Sequence, residues 1–235
     1  MNLFLRWLLF GALALTSCVS TKSQSTAGNA EPAWVALYNG TNLDGWVGGT
    51  TSDPAAFAAL APAEQAAQQA QWNLGLADHW SADGDELVSD GAGPHLVTAE
   101  SYGDFELELE WKIQPRGDSG IYLRGYPQVQ IWDPANPNEA GNGAAKGSGG
   151  LWNNRTHERF PMVLADRPPG EWNQMLVRMR GALVDVWLNG KQLVRGVELD
   201  NYFRPGEPLL ARGPIHLQTH GSEVRLRGVR ARHLD

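Results

Sequence analysis

The chain has a single cysteine, Cys18, among 235 residues. An internal disulfide framework is therefore excluded. Positive charge is also short: 19 Lys and Arg stand against 26 Asp and Glu, a formal net charge of −7. That argues against a dedicated nucleic-acid binder, which needs a basic face to displace counterions from phosphates. Long apolar runs are missing too. The run from Leu8 to Leu15 is too short for a stable helix across the roughly 30 Å core of a bilayer. No serine sits in a Gly-x-Ser-x-Gly elbow and no His-Glu-x-x-His occurs. The serine-hydrolase and zinc-protease templates therefore fail. No internal repeat of solenoid or propeller type is found.

What the chain has in quantity is glycine, proline and tryptophan: 27, 14 and 10 residues. Glycine and proline between short apolar runs mark turns joining strands, not a helical bundle. Flat apolar indoles suit the C–H faces of sugars, although core packing accounts for at least half of the tryptophans. With 42% hydrophobic and 19% charged residues, the length suits one large domain or two small ones with a full core.

At the N-terminus, Arg6 precedes the apolar run and Thr16-Ser17-Cys18 follows it. A positive residue, a short apolar core and small residues at a cleavage point describe a secretory signal peptide over residues 1–17. Leu15-Thr16-Ser17-Cys18 also has the form of the lipobox of bacterial lipoproteins, in which the cysteine is lipidated and becomes the new N-terminus. The alternative is a plain secreted protein with an incidental cysteine. On the lipobox reading the protein is a bacterial envelope lipoprotein, facing the periplasm or the surface, and touches the membrane only through its lipid. Val19, in place of an inner-membrane-retaining Asp, favours the outer membrane. Residues 18–32 are then the lipidated cysteine and a Ser/Thr/Ala/Gly-rich tether, and residues 33–235 the folded domain.

From Trp34 onward, short alternating segments dominate. Phe105, Leu107, Leu109, Trp111 and Ile113 alternate with Glu106, Glu108, Glu110 and Lys112, a period of two that predicts a strand with one buried face. Ile121 and Leu123 continue the apolar face, leaving Tyr122 and Arg124 opposite. Val129 and Ile131 point inward, with Gln128, Gln130 and Trp132 on the other side. Val186 and Leu217 join the expected core, the latter flanked by His216 and Gln218. Residues 53–77 break the pattern: Asp53 caps, Pro54 suits a first turn, and Ala, Gln and Glu fill a short helical insertion. The fold class is all-β, a two-sheet antiparallel jelly-roll sandwich.

The wet faces carry the functional signal. Arg124, Gln130, Trp132, Gln218 and His220 are long, polar or aromatic, whereas a plain solvated sheet shows more Thr, Ser, Lys and Glu. Amides that make bidentate hydrogen bonds, beside an indole, suit an oligosaccharide or glycoside. Trp152, Asn153 and Asn154, after the glycine-rich stretch from Gly141 to Gly150, are placed to close the groove. That stretch lacks the spacing and following helix of a phosphate-binding loop, which leaves a mobile loop beside a site or surface filler. Glu106, Glu108 and Glu110 read as a charged outer strand face, with Glu110 kept as a substrate-binding candidate. His220, before Gly221 at a strand end, is the candidate base near neutral pH. A hydrogen-bonded structural imidazole is its alternative.

The order of short motifs is specific. It runs from Leu37-Tyr38-Asn39-Gly40-Thr41-Asn42-Leu43-Asp44-Gly45-Trp46 through Tyr102-Gly103-Asp104-Phe105-Glu106-Leu107 and Asp118-Ser119-Gly120-Ile121-Tyr122-Leu123-Arg124. It continues with Gln128-Val129-Gln130-Ile131-Trp132-Asp133, Gly170-Glu171-Trp172-Asn173 and Trp187-Leu188-Asn189-Gly190. It ends with Gly213-Pro214-Ile215-His216-Leu217-Gln218-Thr219-His220-Gly221. In these the chain resembles the 3-keto-disaccharide hydrolase domain family, secreted bacterial proteins with a concanavalin-like jelly roll. Asp118 and Gln128 depart from the family's usual Asn and Glu.

The resemblance implies cleavage of 3-keto-glucosides by removal of the C2 proton, elimination of the aglycone and addition of water. Under it His220 is the base, Arg124 stabilises the enolate, and Gln130, Trp132 and Gln218 bind hydroxyls. Asp133 would orient His220 or Arg124, or join His220 in holding a divalent metal ion, for which oxygen and imidazole ligands are suited. A lectin-like module without chemistry and a laminarinase-type hydrolase are the other readings. The latter lacks its Glu-x-Asp-x-x-Glu motif here.

Overall fold

The computed structural model describes Met1 and residues 32–234. Apart from Met1, the expected signal peptide, Cys18 and nearly all of the expected tether lie outside the described residues. The strands of one sheet are β1 (Val35–Ala36), β3 (Trp80–Asp83), β4 (Glu86–Ser89), β6 (Phe105–Ile113), β9 (Asn173–Arg180), β10 (Leu183–Leu188), β11 (Lys191–Glu198) and β13 (Val224–His233). Its order is β11-β10-β9-β6-β13-β4-β3, with β1 paired to β13. The second sheet, ordered β2-β5-β12-β7-β8, holds β2 (Trp46–Gly49), β5 (His95–Thr98), β7 (Asp118–Leu123), β8 (Tyr126–Trp132) and β12 (His216–Leu217). The strand pairings in both sheets are antiparallel. This is the two-sheet jelly-roll sandwich that the alternation predicts.

Period-two patterning decides what lies between the sheets. Leu107, Leu109, Trp111 and Val186 of one sheet form a single buried cluster with Ile121, Leu123, Val129, Ile131 and Leu217 of the other. All nine are the residues that strand alternation assigns to the core. On the opposite face of β6, Glu106 stands across from Arg178 and Arg232, Glu108 from Arg230, and Glu110 from Arg227. Each glutamate is paired with at least one of those arginines. Glu110 therefore sits in a cross-strand ion-pair ladder on the eight-stranded sheet, remote from the groove expected to use it.

The insertion forms three helices, α1 (Pro54–Ala58), α2 (Pro62–Trp72) and α3 (Leu76–His79). Asp53 caps α1, accepting from the Ala55 N–H at 2.9 Å, as its sequence position predicts. Helix α2 covers the outer edge of β2. The Gly48 N–H donates to Asn73 Oδ1 and Gln69 Nε2 donates to Gly48 O, both at 2.8 Å. The otherwise bare strand edge is thereby satisfied. Gly48 is required there, because a Cβ would lie 2.0 Å from the Trp72 carbonyl oxygen.

Candidate functional site

On the outer face of the five-stranded sheet lies a groove of about 280 Å³. β7 contributes Asp118 and Tyr122, β8 contributes Gln128, Gln130 and Trp132, and the segment after β12 contributes Gln218 and His220. Its rim includes Trp152, Asn153 and Tyr202, together with Glu139 and Asn142 from the 3-10 turn Pro137–Asn142. The glycine-rich segment runs along β8, with Gly149 N donating to Gln130 O at 2.7 Å and Gln130 N to Gly150 O at 3.0 Å. These backbone bonds place the segment beside the groove.

Asp118 organises the floor. One carboxylate oxygen accepts from Gln130 Nε2 at 2.7 Å, and the other lies 3.2 Å from His220 Nδ1. The turn carrying His220 is pinned to β7 through Ser222, whose Oγ accepts from the Asp118 N–H at 2.9 Å and donates to Asp118 O at 3.1 Å. With Nδ1 directed at a carboxylate, Nε2 is the nitrogen left for chemistry. The hydrogen bond that His220 donates to Asp118 raises the His220 pKa; burial opposes it, and the charges of Asp118 and Glu139 add to the rise.

Beside this pair lies an amide and phenol network. Gln128 Nε2 donates to Gln130 Oε1. Gln218 Nε2 donates to the Tyr122 hydroxyl at 3.2 Å, and that hydroxyl lies 2.7 Å from Thr51 Oγ1. Burial pushes the Tyr122 phenol above its ordinary pKa, so it stays protonated. Gly120 makes the convergence of amides fit: a Cβ there would stand 2.9 Å from Gln218 Oε1 and 3.0 Å from Gln128 Cδ. Two buried acceptors, Gln218 Oε1 and Asn153 Oδ1, have no hydrogen-bond partner among the described residues. Buried polar atoms are costly to leave unpaired, and both residues line the groove.

Gln130, Trp132, Gln218, His220, Trp152 and Asn153 thus line one groove. Trp132 is a wall rather than an open platform: it is buried, and its indole donates to Gly147 O at 2.8 Å. Trp152 meets it edge-on at 5.3 Å and is capped by the Arg159 guanidinium at 3.4 Å.

Three further assignments need correction. Arg124 does not reach the groove. A register shift between Ile121 and Leu123, followed by a left-handed Arg124 (φ 54°), ends the alternation. The buried guanidinium donates instead to Gly103 O, Leu210 O and Asp104 Oδ1. Asn154 is buried outside the groove, bonding Glu158 O, Glu198 O and the Asp200 N–H. Asp133 is occupied by its own turn, accepting from the N–H groups of Arg116 and Ala135 at 2.8 and 2.9 Å. It does not join His220, so the expected metal pair is not assembled. Among the described residues no cluster of three or more His, Cys, Asp or Glu side chains is placed to hold a metal.

Asp118, Tyr122, Gln128, Glu139, Asn142 and Thr51 also line the groove; none of them is among the site residues expected from the sequence, where Asp118 and Gln128 stand as departures from the family's pattern. For Tyr122 and Gln128 the signal was present, since alternation puts them on the face of Gln130. Among the described residues, no lysine or arginine lines the groove.

Comparison with known proteins agrees with this architecture. Residues 33–232 match the model of the 3-keto-alpha-glucoside-1,2-lyase-like domain. A 3-keto-disaccharide hydrolase of Bacteroides thetaiotaomicron is 25% identical over 202 aligned positions, covering 66% of this chain and 67% of its own. A Parabacteroides distasonis structure, named only provisionally as a glycosyl hydrolase, superposes with a TM-score of 0.62 at 22% identity. It covers 86% of this chain and 94% of its own. At that identity the likeness concerns the fold.

Proposed function

The chain belongs to the 3-keto-alpha-glucoside-1,2-lyase-like domain family, and from that premise we propose that it cleaves 3-keto-glucosides by elimination and hydration. The coarser reading, a carbohydrate-cleaving enzyme of the hydrolase type, is supported by the family and by the Bacteroides relative. The observation that carries the finer one is the Asp118–His220 pair at the mouth of a groove rich in amides and aromatic rings.

In a 3-keto-glucoside the ketone acidifies the C2–H bond. His220 Nε2 takes that proton, and its electron pair moves toward the C3 oxygen as an enolate. The enolate collapses, the C1–O bond breaks and the aglycone oxygen takes up the proton that His220 Nε2 had accepted, which restores the base. Water then adds across C1 and C2, hydroxyl to C1 and proton to C2, giving net hydrolysis. A positioned base contributes roughly 10²–10⁴-fold. Asp118 holds the tautomer and stabilises the imidazolium formed. With Arg124 outside the groove, the enolate oxygen is served by neutral donors, and the Tyr122 hydroxyl is the suited one. Gln218 and Asn153 bind hydroxyls through their unpartnered oxygens.

The test is to incubate the purified domain with a 3-keto-disaccharide and with its unoxidised parent. Release of free sugar from the keto compound alone supports the reading. Sugar binding without turnover of either compound would instead make this a lectin-like module. Lipidation at Cys18 and residence in the bacterial envelope complete the proposal on the strength of the Leu15–Cys18 motif.

A further inference from the structure

A second and larger cavity, about 460 Å³, lies between the helical insertion and the same outer face of the five-stranded sheet. We infer that it receives an aromatic leaving group, a phenol attached to the sugar held in the neighbouring groove. This rests on the glycoside-cleaving reading above and adds the class of aglycone.

Its walls argue for an aromatic ring. Phe57 of α1 and Trp72 of α2 face each other at 4.8 Å with planes tilted by 37°. Val47, Val97 and Pro214 form apolar walls around them. The amide nitrogens at its border are committed to the fold. Gln65 Nε2 donates to Ala58 O and Leu60 O, and Gln69 Nε2 to Gly48 O and Asn73 Oδ1. A second sugar ring, with a hydroxyl on most carbons, would leave those turned to the wall of Phe57, Trp72, Val47, Val97 and Pro214 unpaired. A phenol has one. His216 lines the cavity, is 7% exposed, and its Nδ1 has no hydrogen-bond partner among the described residues. Burial, with the nearby His95, pushes its pKa down to about 3, so the ring is neutral and fits an apolar surrounding. A cavity of this size, with this aromatic and aliphatic wall and with Thr50, Ser52, Ser101, Arg212 and His216 as polar groups on its border, is of the kind that holds a small, mainly apolar ligand.

Position supplies the link to the groove. His216 and Gln218 lie two residues apart on one face, the first in the cavity and the second in the groove. His216 stacks on Tyr122 at 5.3 Å with an interplanar angle of 10°. Thr51 touches the groove while its neighbours Thr50 and Ser52 line the cavity. The partition between the two spaces is therefore one ring pair and one short backbone segment.

The experiment uses 4-nitrophenol as the probe and the full mature chain. Calorimetric titration should show binding to the wild type. Phe57→Ala should weaken it by about tenfold or more, and Ala58→Trp, at the exposed rim of the cavity, should block it while the protein keeps its melting temperature. His220→Ala should leave phenol binding unchanged. Equal affinity in wild type, Phe57→Ala and Ala58→Trp would overturn the cavity assignment. The aglycone role is read separately, by comparing 4-nitrophenyl and methyl 3-keto-glucosides. Phe57→Ala should raise KM for the aryl compound alone, and equal effects on both would overturn that role. Phenol binding at the cavity with neither glycoside cleaved would sink the enzymatic reading and the aglycone role but leave the site.

Discussion

Asp118 Oδ2 lies 3.2 Å from His220 Nδ1, and the other Asp118 oxygen is held by Gln130 at 2.7 Å. The imidazole is thus oriented by a carboxylate that is itself fixed, and its pKa is raised chiefly by that hydrogen bond. Asp118→Asn keeps the shape but removes the charge that favours imidazolium. The His220 pKa then falls, so the free base persists to lower pH. The acid limb of the kcat/KM profile on a 3-keto-disaccharide should move to lower pH, and the plateau should drop because the base is weaker. A limb that stays in place or moves up would separate His220 from the rate.

His220 itself gives the complementary result. Its side chain is 57% exposed, and exposed substitutions usually change stability by less than about 0.5 kcal/mol. His220→Ala should lower turnover by at least about 100-fold with little change in melting temperature. Retained sugar affinity in that variant, measured by titration, separates lost chemistry from lost binding.

Arg124→Ala should behave in the opposite way. The buried guanidinium satisfies Gly103 O, Leu210 O and Asp104, and each charged hydrogen bond of this kind contributes about 1.5–3 kcal/mol. Thermal unfolding should occur at clearly lower temperature, while kcat of the folded fraction stays within a few-fold of wild type. A large fall in kcat at unchanged stability would restore the electrostatic role that strand alternation suggests for Arg124.

That contrast shows where sequence reasoning reaches and where it stops. Alternation along β6, β7 and β8 correctly placed core residues such as Leu107, Ile121 and Val129, because a half-buried strand repeats every two residues. It also brought Gln130, Gln218 and His220 together: Gln130 is on the non-core side of β8, and the segment that continues β12 carries Gln218 and His220 to the same groove. It failed at Arg124, where a bulge and a left-handed residue reset the direction. Asp133 and Asn154 look like site residues by type, yet both spend their polar atoms on neighbouring backbone. Which polar side chain serves a turn and which a ligand is decided by local hydrogen bonding, and no periodicity encodes it. Asp118 was visible only as a departure from the family's usual Asn.

Cys18→Ser tests the N-terminal reading without touching the domain. Without the thiol there is no atom to lipidate, so the protein should move from the membrane fraction into soluble extract. One acyl chain gives only marginal membrane binding, so stable anchoring depends on the full lipid modification of this residue. Unchanged membrane association in the variant would refute the lipobox.

Gly48→Ala probes how the helical insertion is held to the sheet. The added Cβ would meet the Trp72 carbonyl oxygen at 2.0 Å and its carbon at 2.6 Å. Backbone atoms cannot swing aside like a side chain, so α2 must lift from β2. Lifting strains the two hydrogen bonds that Gln69 and Asn73 make to Gly48. Overpacking of this kind costs about 1–3 kcal/mol, a Tm loss on the order of 2–12 °C for a domain of this size. Trp72 also forms a wall of the larger cavity, so the same displacement should weaken 4-nitrophenol binding. The groove carrying Asp118 and His220 is built from β7, β8 and the segment after β12. Turnover of a methyl 3-keto-glucoside should therefore persist below the melting temperature. Parallel loss of phenol binding and methyl-glucoside turnover would mean that the insertion supports both spaces, and that the division between them is wrong.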